Sequence, residues 1–140
     1  MRRHKRIKAL ICACLLAGAA AAQDVPVLDG VPQEEPIGTI DVLHKVTARI
    51  RTVHPRINMP VEVGSLTIVM RACVSTPPEE PPETKMFLEV RENREGVVSD
   101  LFAGWMFASS PGLSALEHPV YDLWPIACKT SDGAPYTDRG

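Results

Sequence analysis

The chain has no Cys-x-x-Cys pair, no Gly-x-Ser-x-Gly elbow, no long segment of helical period and no internal repeat. Without paired cysteines at metal-ligand spacing there is no zinc ribbon or redox dithiol. Without the strained elbow the serines lack the turn that exposes an α/β-hydrolase nucleophile. The missing 3.6-residue period excludes a helical bundle, and the missing repeat excludes a solenoid. Long apolar runs are also absent. The longest, Ala9 to Ala19, is about half of the roughly 20 residues that a membrane-spanning helix needs.

What surrounds that run gives it another meaning. Residues 1–8 carry five Lys/Arg and no acid, Ala20-Ala21-Ala22 supply small residues, and Gln23-Asp24 open a polar stretch. A basic end, a short apolar segment and an A-x-A site read as a secretory signal over residues 1–22, cleaved after Ala22. Arg2-Arg3 is followed by His4-Lys5 where a twin-arginine signal wants apolar residues. A lipobox at Cys14 has Lys8 too close before it. The expected address is the periplasm, with no span left after cleavage.

Cleavage leaves few bases. Residues 23–140 hold 10 Lys/Arg against 17 Asp/Glu, a net of −7. That balance repels nucleic acid and anionic membrane surfaces. Two cysteines remain, Cys73 and Cys128. An even count in an oxidising compartment reads as a disulfide; two buried free thiols are the alternative. A bridge closing 56 residues contributes about 4 kcal/mol by the chain-entropy estimate.

The remainder divides by composition. Residues 23–39, with Pro26, Pro32, Pro36, Glu34 and Glu35, read as a flexible leader, residues 40–128 as one β domain, and 129–140 as a disordered tail. Within the domain, Ile40 to Val53 is strand-like, and Pro55 and Pro60 bracket a connection. Leu66, Ile68, Met70 and Ala72 share one face at period two, the clearest strand in the chain. Thr76 to Glu83 (TPPEEPPE) form a stiff acidic loop, and Lys85 to Arg91 resume alternation. Asn93 to Gly96 supply a turn, Val97 to Phe107 a strand, and Ser110 to Leu116 one short helical turn with Pro111 at its first position. Val120 to Cys128 form the last strand, interrupted near Pro125. The expected fold is all-β: a small antiparallel sandwich or barrel with one short helical turn.

The unusual segment is Gly104 to Trp124 (GWMFASSPGLSALEHPVYDLW), which holds both tryptophans. Its candidate binding residues are Trp105, Phe107, Ser109, Ser110, Glu117, His118, Tyr121 and Trp124, because aromatic side chains and hydroxyls serve as anchors at binding surfaces. Ser109 or Ser110 with His118 and Asp122 is the only triad-like set. Glu117, His118 and Asp122 with His44 or His54 is the corresponding metal set. A His beside Pro is more often a turn residue bonded to backbone, so Glu117-His118-Pro119 is expected to anchor a corner. Asp41, Lys45 and Arg49 read as a solvated strand face.

That segment resembles the signature of the domain of unknown function 2155 family, uncharacterised exported bacterial proteins. Leu43 to Arg49 (LHKVTAR), Met70 to Cys73, Pro77 to Glu79, Phe87 to Val90 and Cys128 extend the resemblance over residues 40–128. His44 and Ala48 stand where the family has Asp and Gly, and Gly112 where Ala is usual. The resemblance implies export, one domain and a disulfide, and carries no activity. Its genes often neighbour one for an accessory subunit of the respiratory NADH dehydrogenase.

These observations lead to a non-catalytic exported envelope protein, a binding or structural module using Gly104 to Trp124, without a cofactor. Its expected partner is another protein or membrane complex of the envelope. The alternative is an accessory subunit on the periplasmic side of a respiratory membrane complex, with a hydrolase third.

Overall fold

The structure, a computed structural model, describes residues 34–137; the expected signal segment and most of the leader lie outside them. Seven strands form two antiparallel sheets. They are β1 (Ile37–His44), β2 (Arg49–Val53), β3 (Pro60–Val63), β4 (Leu66–Ser75), β5 (Thr84–Arg94), β6 (Val97–Phe107) and β7 (Tyr121–Lys129). One sheet has the order β2-β1-β7, the other β3-β4-β5-β6. They pack face to face as an open sandwich rather than a closed barrel. Among the described residues the single helical element is a 3-10 turn at Pro111–Leu113, with Pro111 in its first turn and no bond from the Ser110 hydroxyl to cap it.

The core comes from alternate residues of both sheets. Ile40 and Val42 of β1 and Leu123 of β7 meet Ile68 and Met70 of β4, Met86, Leu88 and Val90 of β5, and Met106 of β6, all nearly inaccessible to water. Strands β4, β5 and β6 lie beneath β7, and β1 touches β4; β2 overhangs the four-stranded sheet. Gly38 permits a close approach between the sheets, because a β-carbon there would sit 2.6 Å from the Met70 sulfur.

Three β-bulges interrupt the ladders; one leaves Leu101 of β6 without a partner, and the other two set the faces of β4 and β7. In β4, Met70 pairs with Leu88 and Ala72 with Phe87, so Arg71 is extra. Alternation before it buries Leu66, Ile68 and Met70; after it, Cys73 and Ser75 point inward and Ala72 joins the outer face. Ala72 therefore does not share the face of Met70, as strict alternation predicted. In β7, Pro125 cannot donate to the ladder, and Ile126 has no partner between Pro125 opposite Ile40 and Ala127 opposite Thr39. That bulge turns Cys128 inward. Cys73 and Cys128 meet between the sheets as a disulfide, with Cα atoms 5.8 Å apart and both residues buried.

Three boundaries differ from the sequence reading. The expected strand Ile40–Val53 is a hairpin, because Lys45 to Ala48 form a turn with Ala48 at φ 53°. The His44 Nδ1 accepts the Thr47 N–H at 3.3 Å, closing that turn as a side-chain carboxylate would. Strand β1 begins at Ile37, inside the stretch assigned to the leader. In the segment assigned to a disordered tail, β7 continues to Lys129 and the chain then turns back. The Tyr136 N–H donates to the Cys128 carbonyl at 2.9 Å, and the Tyr136 carbonyl accepts the Ser75 N–H at 2.7 Å, linking the two sheets beside the disulfide.

Candidate functional site

The sequence block Gly104 to Trp124 is divided between three environments. Its first part is the end of β6, an edge strand. Trp105 pairs with Phe87, and Phe107 with Lys85. Since Met86, Leu88 and Met106 face the core, these four side chains face away from it. Phe87 and Trp105 pack edge to face, with centroids 5.6 Å apart, and the Lys85 ammonium lies 5.8 Å from the Trp105 centroid. Ala72, Val74 and Val69 continue this face on β4, with the Arg71–Glu89 ion pair of 2.8 Å beside them. Trp105 remains 39% exposed. The face runs into a groove of about 520 Å³ beneath the proline-rich loop, lined by Val74, Thr76, Pro77, Lys85 and Phe107.

The second part fastens that loop. Ser109 donates both its N–H, at 3.1 Å, and its hydroxyl to the Glu83 carboxylate. The Thr84 N–H donates to the same carboxylate at 2.9 Å. Burial pushes the Glu83 carboxyl up, but these donors outweigh it and hold it below the usual carboxylate range. Ser109 therefore sets the loop geometry. Ser110 marks the start of the 3-10 turn, and Glu117 is exposed.

The third part is the corner before β7. His118 is buried, and its Nδ1 accepts two backbone N–H groups, from Val120 and Tyr121, each at 3.1 Å. An accepting Nδ1 fixes the proton on Nε2, which donates to the Glu92 carboxylate at 3.2 Å. Glu92 also accepts from the Ser65 hydroxyl and the Arg94 guanidinium, each at 3.0 Å. Burial raises the Glu92 carboxyl; the bonds from Arg94, Ser65 and His118 more than offset this and leave it below its ordinary range. Tyr121 lies between His44 and His118, with centroids 5.2 and 5.4 Å away. Its hydroxyl occupies the space that a side chain at Gly64 would fill. Gly64 is thus required twice, by contact and by its φ of 59°. Trp124 pairs with Asp41 on the outer face of the three-stranded sheet. The two tryptophans consequently occupy opposite faces of the sandwich.

This geometry bears on the chemistry weighed from sequence. A general base needs a free lone pair, and both those of the His118 ring plane are committed: one to two backbone donors, the other to the bound proton. Asp122 accepts the Leu123 N–H at 3.1 Å, and the His118 partner is Glu92 instead. The Ser-His-Asp set is therefore not assembled. Among the described residues no group of three His, Cys, Asp or Glu side chains is placed to hold a metal ion. Sequence reasoning missed Glu92. The available signal was its position two residues beyond Val90, on the inward register of β5.

The fold and these contacts define a disulfide-bonded β-sandwich with one outward aromatic face and one buried His–Glu corner. The chain belongs to the family described as "Uncharacterized protein conserved in bacteria (DUF2155)", which matches residues 38–128. It is similar to the Uncharacterized protein RP359 of Rickettsia prowazekii (strain Madrid E), 26% identical over 92 residues. The match covers 65% of this chain and 59% of that protein, so the chain spans under two thirds of its relative's length. No solved structure matches.

Proposed function

We propose that this chain is a non-catalytic, exported binding module of the bacterial envelope, which holds a partner protein against the outer face of β4, β5 and β6. The observation that carries the reading is Trp105. It stands 39% exposed on the edge strand of an aromatic face, with Phe87 and Phe107 beside it and a groove at its end. Half-exposed tryptophan with packed aromatic support is a frequent anchor residue, already rigid before a partner arrives. Export is supported by residues 1–22 and by a buried disulfide, which persists in oxidising compartments. The test is affinity capture from detergent-solubilised membranes, with wild type against Trp105→Ala. Loss of one defined partner from the variant, with folding intact, supports the reading. Equal capture by both proteins overturns it. A respiratory-complex partner is one identity that the captured protein can take.

A further inference from the structure

A second surface lies on the other sheet, where β2 overhangs. The inward positions of β1, Ile40 and Val42, are buried apolar residues. The positions paired with Val42 and His44 on β2 are Arg51 and Arg49, and both are exposed. Two guanidinium groups thus line the open gap between the sheets, where a closed sandwich would continue its core. The gap is a cleft of about 410 Å³ between β2 and the β3–β4 turn at Gly64, floored by Val42, Val63 and Tyr121.

Every polar side chain at this cleft can donate. His44 accepts the Thr47 N–H at Nδ1, so its Nε2 carries a proton. Tyr121 brings its hydroxyl beneath Gly64. Arg49 and Arg51 add their guanidinium donors, and no carboxylate lines the cleft. The wider segment shows the same bias: residues 42–61 contain four Lys/Arg and no Asp or Glu, in a chain with an acidic surplus elsewhere. Finally, β2 is an edge strand with β1 as its one ladder neighbour among the described residues. Its outer main-chain groups are available to another strand, and Ile50 and Val46 beside it are 58% and 75% exposed.

We infer that this cleft binds an acidic, extended peptide segment, which adds to the sheet along β2 and places carboxylates on Arg49 and Arg51. Side chains two residues apart on a strand are separated by about 6.8 Å, so the recognised pattern is acid-x-acid on an extended chain. Guanidinium groups suit carboxylates by their planar fork of donors, and the main chain of β2 supplies the rest by strand addition. Edge charges of this kind also discourage indiscriminate pairing, which makes the cleft selective by sign.

The experiment titrates the purified protein with a capped synthetic peptide of alternating Glu and Val, and with its Lys–Val counterpart. The expected result is binding of the acidic peptide alone, weakening as salt rises from about 0.05 to about 0.5 M. The Arg49→Ser/Arg51→Ser double variant should weaken it at least about tenfold. Both arginines are exposed, so the melting temperature of that variant should equal the wild type's, which shows that it folds. Hydrogen exchange should reveal new protection at β2 amides when the peptide is bound. Absence of binding overturns the proposal, as does equal binding by the double variant. Displacement of the peptide by an equal concentration of inorganic phosphate would reduce the cleft to a simple anion site and overturn strand addition. Binding to anionic phospholipid vesicles without binding to the peptide would do the same. Trp105→Ala should leave peptide binding unchanged, so this result stands or falls apart from the aromatic face.

Discussion

Trp105 and His118 belong to one sequence segment, yet the fold uses them in opposite ways. Trp105 projects from an edge strand with its support on one side and water on the other. His118 is enclosed, with each ring nitrogen bonded to a defined partner. The difference follows from what surrounds each. At the end of β6, past the bulge at Leu101, alternation puts Met106 inward and therefore its neighbours outward. Before β7 the chain turns at Pro119, and the turn's part-buried amides need an acceptor, which His118 provides. A dense sequence signature can thus combine a surface and the bracket that holds it.

The comparison breaks most visibly at His118. His118→Ala should remove the acceptor of two part-buried amides and leave Glu92 one donor short, besides opening a cavity. The expected loss is about 3–5 kcal/mol, measured by denaturant unfolding. A loss comparable to that of an exposed residue would mean that the corner is not structural.

Acid sharpens the same contrast. The Glu92 and Glu83 carboxyls are held low in the folded chain, so the unfolded chain binds more protons as pH falls through the ordinary glutamate range. Their contribution is complete above that range and is lost progressively as pH drops through and below it. Thermal melts from neutral to acid pH should show this decline, and Glu92→Gln should flatten it. The aromatic face holds the partly exposed Glu89, kept low by its bond from Arg71, and water screens that pair, so it should contribute less to the slope.

Trp105→Ala should cost only about 1 kcal/mol, the scale of one edge-to-face aromatic pair with partial burial. A calorimetric loss as large as that at His118 would make Trp105 a core residue and end the contrast. The smallest effect concerns the β1–β2 turn. Ala48 holds φ 53°, where a side chain is strained, and Ala48→Gly should stabilise by roughly 0.5 kcal/mol after the entropy of glycine is set against the strain. An unchanged or lower melting temperature would refute that assignment. It also explains a departure from the family pattern: Asp and Gly at these positions would make the same turn that His44 and Ala48 make here.

Much of the architecture was readable beforehand, since alternation reports directly on one-sided burial. Strands β4 to β7 followed from it, while the turn at Asn93 to Gly96 followed from its turn residues and the cysteine pair from the even count. The failures have a common physical origin. A bulge adds one residue without altering composition, so nothing at Arg71 announced that Ala72 and Cys73 would exchange faces. Glu92 drew its partners from the β3–β4 turn, its own strand and the corner before β7, and no local pattern encodes a bond spanning 26 residues. The segment after Lys129 is polar by composition; its attachment rests on two main-chain bonds at Tyr136, to which composition is blind. Arg49 read as part of a solvated strand face, and that it lines a cleft with Arg51 depends on how the sheets are offset.

The paired bulges have a consequence for assembly. Each acts as a parity bit. Arg71 and Ile126 are the single counts that bring Cys73 and Cys128 to the same side of their strands. A chain whose ladders have slipped by one residue, in either sheet, presents a cysteine to solvent and cannot close the bond. Oxidation would then seal only molecules in which both registers are right, so the disulfide serves as a proofreader of strand pairing as well as a tether. Deleting Arg71 should accordingly keep the bond, because Met70, Ala72 and Cys73 then alternate without a bulge and Cys73 still faces inward.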